Sequence, residues 1–146
     1  MPRTRISTGI DVHYEIEGSG PPLLLIMGTA ADHSTWSAQV AAYREHFTVL
    51  TYDARGTGRS SQPDDPREYT MPTLADDAAA LVRELGLGAV HVSGLSLGSA
   101  TAQELAIRHP ALVRTLQLHC TWGRSDEWFR RMIDSMEVPV RAGEDR

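Results

Sequence analysis

Read from its N-terminus, the chain alternates short runs of two-residue apolar period with longer stretches of helical period. Asp11 to Glu17 sets Val12, Tyr14 and Ile16 against polar neighbours, as a half-buried strand does. Gly18, Gly20, Pro21 and Pro22 then break the run. Leu23-Leu24-Leu25-Ile26-Met27 is apolar at every position, which predicts a central parallel strand covered on both faces. A helix is expected from about Thr35, with Trp36, Val40 and Tyr43 on one stripe. Phe47 to Tyr52 reads as the next strand.

Thr73-Leu74-Ala75-Asp76 has the spacing of a capping box opening a second helix. Its buried face carries Leu74, Ala78, Leu81, Val82 and Leu85, and Gly86 ends it. Ala89 to Ser93 predicts a short strand, and Ser96 to His109 a helix halted by Pro110. Val113 to Cys120 predicts one more strand. Ser125 is placed to cap a last helix with Trp128, Phe129, Met132, Ile133 and Met136 on one side. Strands alternating with helices predict an α/β fold, a mainly parallel sheet with flanking helices. The order of its strands is not contained in the pattern.

Composition narrows the partners. The chain has 146 residues, of which 41% are hydrophobic and 23% charged, the balance of an ordinary folded domain. A net charge of -5 with no basic face argues against nucleic-acid binding. All 14 cations are arginine, which reads as composition bias rather than chemistry. The longest apolar run has the length of a buried strand, too short for a membrane span. Met1 to Ile10 lacks the apolar stretch of a secretory signal, and Cys120, read as a small buried side chain, has no partner for a disulfide. These readings predict a cytoplasmic protein.

The chemistry centres on Gly94-Leu95-Ser96-Leu97-Gly98, a G-x-S-x-G motif between a predicted strand and a predicted helix. So tight a turn holds its serine in a strained backbone, and Gly94 and Gly98 supply room on either side. The turn exposes the Ser96 hydroxyl at the carboxyl end of the sheet, and the new helix aims unpaired N–H groups at a developing oxyanion. Asp53-Ala54-Arg55-Gly56-Thr57-Gly58-Arg59-Ser60 is a second glycine-rich segment after a strand. A phosphate-cradling loop needs a helix directly afterwards; Ser61-Gln62-Pro63-Asp64-Asp65-Pro66 follows instead.

With these motifs in this order, from about Ile10 to Met136, the sequence resembles the α/β-hydrolase superfamily. The Met27-Gly28-Thr29 segment and the Asp-Ala-Arg-Gly-Thr-Gly-Arg-Ser segment are similar to those of bacterial enol-lactone hydrolases, methylesterases and cofactor-free haloperoxidase-like members. The resemblance implies a serine hydrolase of small carboxylic esters or lactones, with Ser96 as nucleophile and no metal or organic cofactor. It places the oxyanion N–H groups on Thr29 and Leu97, with Gly28 supporting the loop and Trp36 at the matching downstream site. Met27 replaces a histidine common in the family, which leaves a backbone donor intact. Arg108-His109-Pro110 resembles the family's usual helix stop.

In that family the catalytic acid and histidine follow the serine on later strands, and no such strands are expected after Cys120. The sequence therefore reads as a truncated α/β-hydrolase fold, residues 1–138, with a lid helix from about 125 and a polar tail at 139–146. His33, His119 and Asp126 are the candidate substitutes for the missing base and acid. Trp122, Trp128 and Phe129 are candidates for an acyl pocket or for helix packing. Val113 to Cys120 is expected to be an open edge that recruits a second copy or a complementing chain. The alternative to an enzyme is an inactive fragment or partner-dependent half-domain.

Overall fold

The computed structural model describes the backbone of residues 2–144 and the side chains of residues 2–135. Six strands form one sheet: β1 (Arg3–Arg5), β2 (Asp11–Glu17), β3 (Pro22–Ile26), β4 (Thr48–Tyr52), β5 (Val90–Leu95) and β6 (Val113–His119). Their spatial order is β1-β2-β4-β3-β5-β6. The β4-β3-β5-β6 portion is parallel, while β1 and β2 join antiparallel at one side. The chain runs from β3 outward to β4, then crosses back to β5 on the other flank of β3. Between β3 and β5 the direction of winding reverses, and α/β sheets bind ligands at the carboxyl side of that switch point.

The fully apolar β3 serves both faces. Leu23 and Leu25 pack with Val49 beneath helix α1 (Ser37–Tyr43), where Trp36 and Val40 complete a small core. Leu24 and Ile26 point the other way, into a larger core with Leu50, Val90 and Val92. That face is covered by helices α2 (Met71–Glu84) and α3 (Leu97–Arg108), which contribute Leu81, Ala102 and Leu105. β1, absent from the predicted elements because its three residues are polar, is held by Ile6 and Ile10, which fold its turn into the same core.

Several expected boundaries move. The second helix starts at Met71, capped by Thr70, whose hydroxyl accepts from the Thr73 amide; the predicted box at Thr73 lies inside it. The last helix, α4, spans Glu127–Glu144 and is opened by Asp126 rather than Ser125: the Asp126 carboxylate accepts the Phe129 amide at 2.8 Å. Its backbone continues through residues 139–144, expected as a polar tail; residues 145 and 146 lie outside the described residues. Met136, placed on the apolar side of this helix, lies outside the described side chains. Cys120 is exposed, not buried, because it sits in a left-handed turn (φ 51°) just past β6. No helix among the described residues is long and apolar enough to cross a membrane.

One buried ion pair fixes the loop after β4 to the helical layer. Arg55 donates through two nitrogens to Asp77 of α2, at 2.8 and 2.9 Å, and through a third to Glu68 at 2.8 Å. The Arg55 and Asp77 side chains are each 3% exposed, so neither charge has water to fall back on. Removing one partner of such a pair strands the other. Asp77→Ala is expected to lower the unfolding free energy by about 3–5 kcal/mol in urea titrations. A loss below about 1 kcal/mol would show that Arg55 finds solvent instead.

Candidate active site

Ser96 is the hinge between β5 and α3. Its backbone has φ 55° and ψ -121°, a region that residues with a side chain rarely occupy and that costs about 1–3 kcal/mol. Three non-glycine residues share positive φ among the described residues: Ala30, Ser96 and Cys120. Each follows the carboxyl end of a parallel strand, so the irregular backbone is concentrated along one edge of the sheet. The turn is anchored from below. The Ser96 amide donates to the His119 carbonyl of β6 at 2.9 Å, and the Ser96 carbonyl accepts from the Ser99 amide at 2.8 Å.

The glycines around it are spatial requirements. A methyl on Gly94 would lie 2.7 Å from the Gly98 carbonyl carbon, and one on Gly98 would lie 2.6 Å from the Ile26 carbonyl carbon. Neither backbone can retreat, because each belongs to β3 or to the turn itself. Gly28 presses on the elbow from the β3 side. A methyl there would come within 3.0 Å of both the Ser96 Cβ and the Leu95 oxygen, and 3.6 Å from the Leu97 nitrogen. The loop after β3 and the first turn of α3 are therefore in van der Waals contact.

Thr29 and Leu97, the two expected oxyanion donors, line one cavity of about 350 Å³ with Gly28. Met27, Tyr69 and Leu74 give it an apolar wall. As the first residue of α3, Leu97 has no intrahelical acceptor for its N–H. The Thr29 amide also meets no acceptor among the described residues. The structure thus brings together Ser96, Gly28, Thr29 and Leu97 at the switch point of the sheet.

The three candidate substitutes go elsewhere. His33 directs Nδ1 to Asp53 Oδ1 at 2.6 Å, and its Nε2 lies 3.4 Å from Glu15. These partners belong to β2 and the end of β4, separated from β5 by β3. His119 directs Nε2 to the Ser93 hydroxyl at 3.2 Å, while its carbonyl receives the Ser96 amide. Asp126 is the cap of α4. Among the described residues, no histidine is hydrogen-bonded to the Ser96 hydroxyl. Trp122 and Phe129 stack on each other at 4.5 Å, and Trp128 is 71% exposed; none of the three lines the cavity.

Asp53 organises the surroundings of the site. Its carboxylate is 1% exposed and accepts from the His33 amide, the His33 ring and the Arg59 amide. Burial raises its pKa, but those hydrogen bonds outweigh burial and hold it below the ordinary aspartate value. Gly58, at φ 50°, wraps this carboxylate so closely that any side chain would displace it. The Ser60 hydroxyl donates to the Asp53 carbonyl and receives the His13 amide, stitching the loop to β2. The glycine-rich segment after β4 therefore encloses a carboxylate of its own and has no cradle for a phosphate. The only signal of this role in the sequence is an aspartate that ends a predicted strand and opens a glycine-containing segment.

Since the folded pKa of Asp53 is depressed, its contribution is complete above the ordinary aspartate pKa of about 3.9 and is lost as pH falls through the folded value. Asp53→Asn is expected to cost about 1–3 kcal/mol at pH 7, with the gap to the parent narrowing below about pH 4. Urea unfolding of both proteins between pH 3 and 7 checks this; a gap that widens on acidification contradicts it.

A family model described as "alpha/beta hydrolase fold" matches residues 21–140. A protein of Azorhizobium caulinodans named "Putative carbamate hydrolase RutD" is 36% identical over 124 residues, 85% of this chain and 46% of that protein. The enol-lactonase of Burkholderia xenovorans LB400 is similar in structure, with TM-score 0.74 and 34% identity over 79% of this chain and 45% of its own. A thermophilic esterase from Thermogutta terrifontis gives TM-score 0.80 and 33% identity over 87% of this chain and 48% of its own. The chain spans about half the length of the curated relatives it matches.

Proposed function

The chain belongs to the α/β-hydrolase family, and from that premise we propose that it supplies the nucleophile half of a serine hydrolase acting on carboxylic esters or lactones. The observation that carries the proposal is the strained Ser96 elbow held against Gly28, beside a cavity lined by Thr29 and Leu97. The Ser96 oxygen attacks the carbonyl carbon as a base removes its proton. The carbonyl oxygen becomes an oxyanion and takes hydrogen bonds from the Thr29 and Leu97 amides. Collapse expels the alcohol, which regains the proton, and water then releases the acyl group from Ser96. In a lactone the alcohol and the acid leave as one molecule.

His33 and His119 are both engaged with other side chains and neither reaches the Ser96 hydroxyl, so the base comes across an interface, from a second copy or from a complementing chain. β6 is the entry point for either. It is the outermost parallel strand, and Leu116 on it is 38% exposed. An unpaired strand edge of this kind takes up another strand, from a second copy or from a complementing chain. Light scattering after size exclusion is expected to find self-association; a clean monomer contradicts the β6 edge as a docking strand.

The decisive assay is hydrolysis of a short p-nitrophenyl ester beside a Ser96→Ala control. Turnover is expected to fall to the buffer rate in Ser96→Ala, and specific activity to rise with chain concentration if a second copy supplies the base. Turnover that survives Ser96→Ala contradicts the serine reading. A folded sample without Ser96-dependent turnover favours the alternative, a half-domain inactive on its own. The RutD name favours a second substrate class, carbamates, whose carbonyl is open to the same attack. Comparing an ester, a lactone and a carbamate of matched acyl size separates these classes.

A further inference from the structure

Behind the loop that carries Thr29, on the α1 face of the sheet, three metal-ligating side chains converge. His13 and Glu15 alternate onto this face of β2, and His33 reaches them from the short 3-10 turn His33–Trp36 that precedes α1. One ligand atom from each lies within 4.8 Å of the others. His33 Nε2 is 3.4 Å and His13 Nε2 4.0 Å from Glu15 Oε1. Both histidines are buried, and the glutamate stands at the margin.

The hydrogen-bond roles show what these atoms present to one another. With His33 Nδ1 donating to the Asp53 carboxylate, Nε2 is the ring nitrogen left to accept a cation. An arginine only donates, so the Arg59 guanidinium 3.4 Å from His13 Nε2 marks that nitrogen as an acceptor too. Glu15 adds an anionic oxygen. Two imidazole nitrogens and an anionic oxygen thus face one another, a donor set that suits a shared divalent cation. Asp53 behind His33 is the carboxylate–histidine arrangement that fixes the tautomer of a metal-bound imidazole.

We propose that His13, Glu15 and His33 form a site for a zinc-like divalent cation, a site separate from Ser96 and independent of its proposed chemistry. Tetrahedral zinc at bond lengths near 2.0–2.2 Å sets its ligand atoms about 3.3 Å apart, so His33 and Glu15 already stand at the required separation. His13 Nε2, 4.0 Å from Glu15 and within 4.8 Å of the His33 ligand nitrogen, closes in when the ion binds. An entering cation has to displace the exposed Arg59 guanidinium from its present contacts, the one at 3.4 Å from His13 Nε2 among them. A cleft of about 120 Å³ bordered by Glu15, Glu17, His33 and Arg44 leads in from solvent and leaves the fourth ligand position to water. Asp32 does not compete, because its carboxylate receives the Ser34 amide and hydroxyl. The bound ion ties β2 to the segment four residues beyond Thr29.

Zinc titration of the whole chain by calorimetry, with cobalt absorption as a second readout, tests the site. One saturable ion per chain is expected, weakened at least tenfold by His13→Gln and by Glu15→Gln, and 10–100-fold by Asp53→Asn. Zinc is also expected to raise the Tm of the parent but not of Glu15→Gln. Glu15 is partly exposed, so its variant remains informative if His13→Gln fails to fold. Absence of saturable binding overturns the proposal. So does binding that is unchanged in Glu15→Gln, or that disappears in Cys120→Ser.

Discussion

The site depends on one left-handed residue. A strand that must turn directly into a helix has no room for a connecting loop, and the chain makes the turn by placing Ser96 at φ 55°. That conformation persists only where its surroundings over-determine it. Here the Ser96 amide is held by β6, the first turn of α3 is held by the end of β3 through Gly98, and Gly28 closes from above. The same contacts place Thr29 and Leu97 on one cavity. Strain, cavity and proposed oxyanion donors are consequences of one packing arrangement.

A second tier of buried charge keeps the surrounding loops in place. Asp53 gathers the His33 and Arg59 amides, and Arg55 is locked to Asp77. Apolar packing alone would leave the segments after β3 and β4 free to slide, because their residues are small and irregular. Paired charges in a dry setting are directional, and directionality is what these loops need. The cost is a structure sensitive to loss of either partner.

Much of this was legible in the sequence. The alternation of Asp11 to Glu17 gave β2 its observed limits, and the uniformly apolar Leu23 to Met27 marked the strand that serves two cores. The elbow motif marked Ser96 because its geometry needs glycines at fixed positions. What could not be read were properties of tertiary context. Thr70 takes the cap from Thr73 because Pro72 suits the first helical turn, where an N–H has no intrahelical acceptor to lose. His33 belongs with β2 and β4 because of a strand order that periodicity does not encode. Asp53 looked like one loop residue among several until the chain folded around its carboxylate.

Amide hydrogen exchange at three positions tests the central claim most directly. The Ser96 amide, committed to the His119 carbonyl, is expected to exchange at the slow rate of the β5–β6 ladder, while Thr29 and Leu97 exchange rapidly. A Ser96 amide as fast as its neighbour at Leu97 would contradict the account, because the elbow would then not be anchored to the sheet.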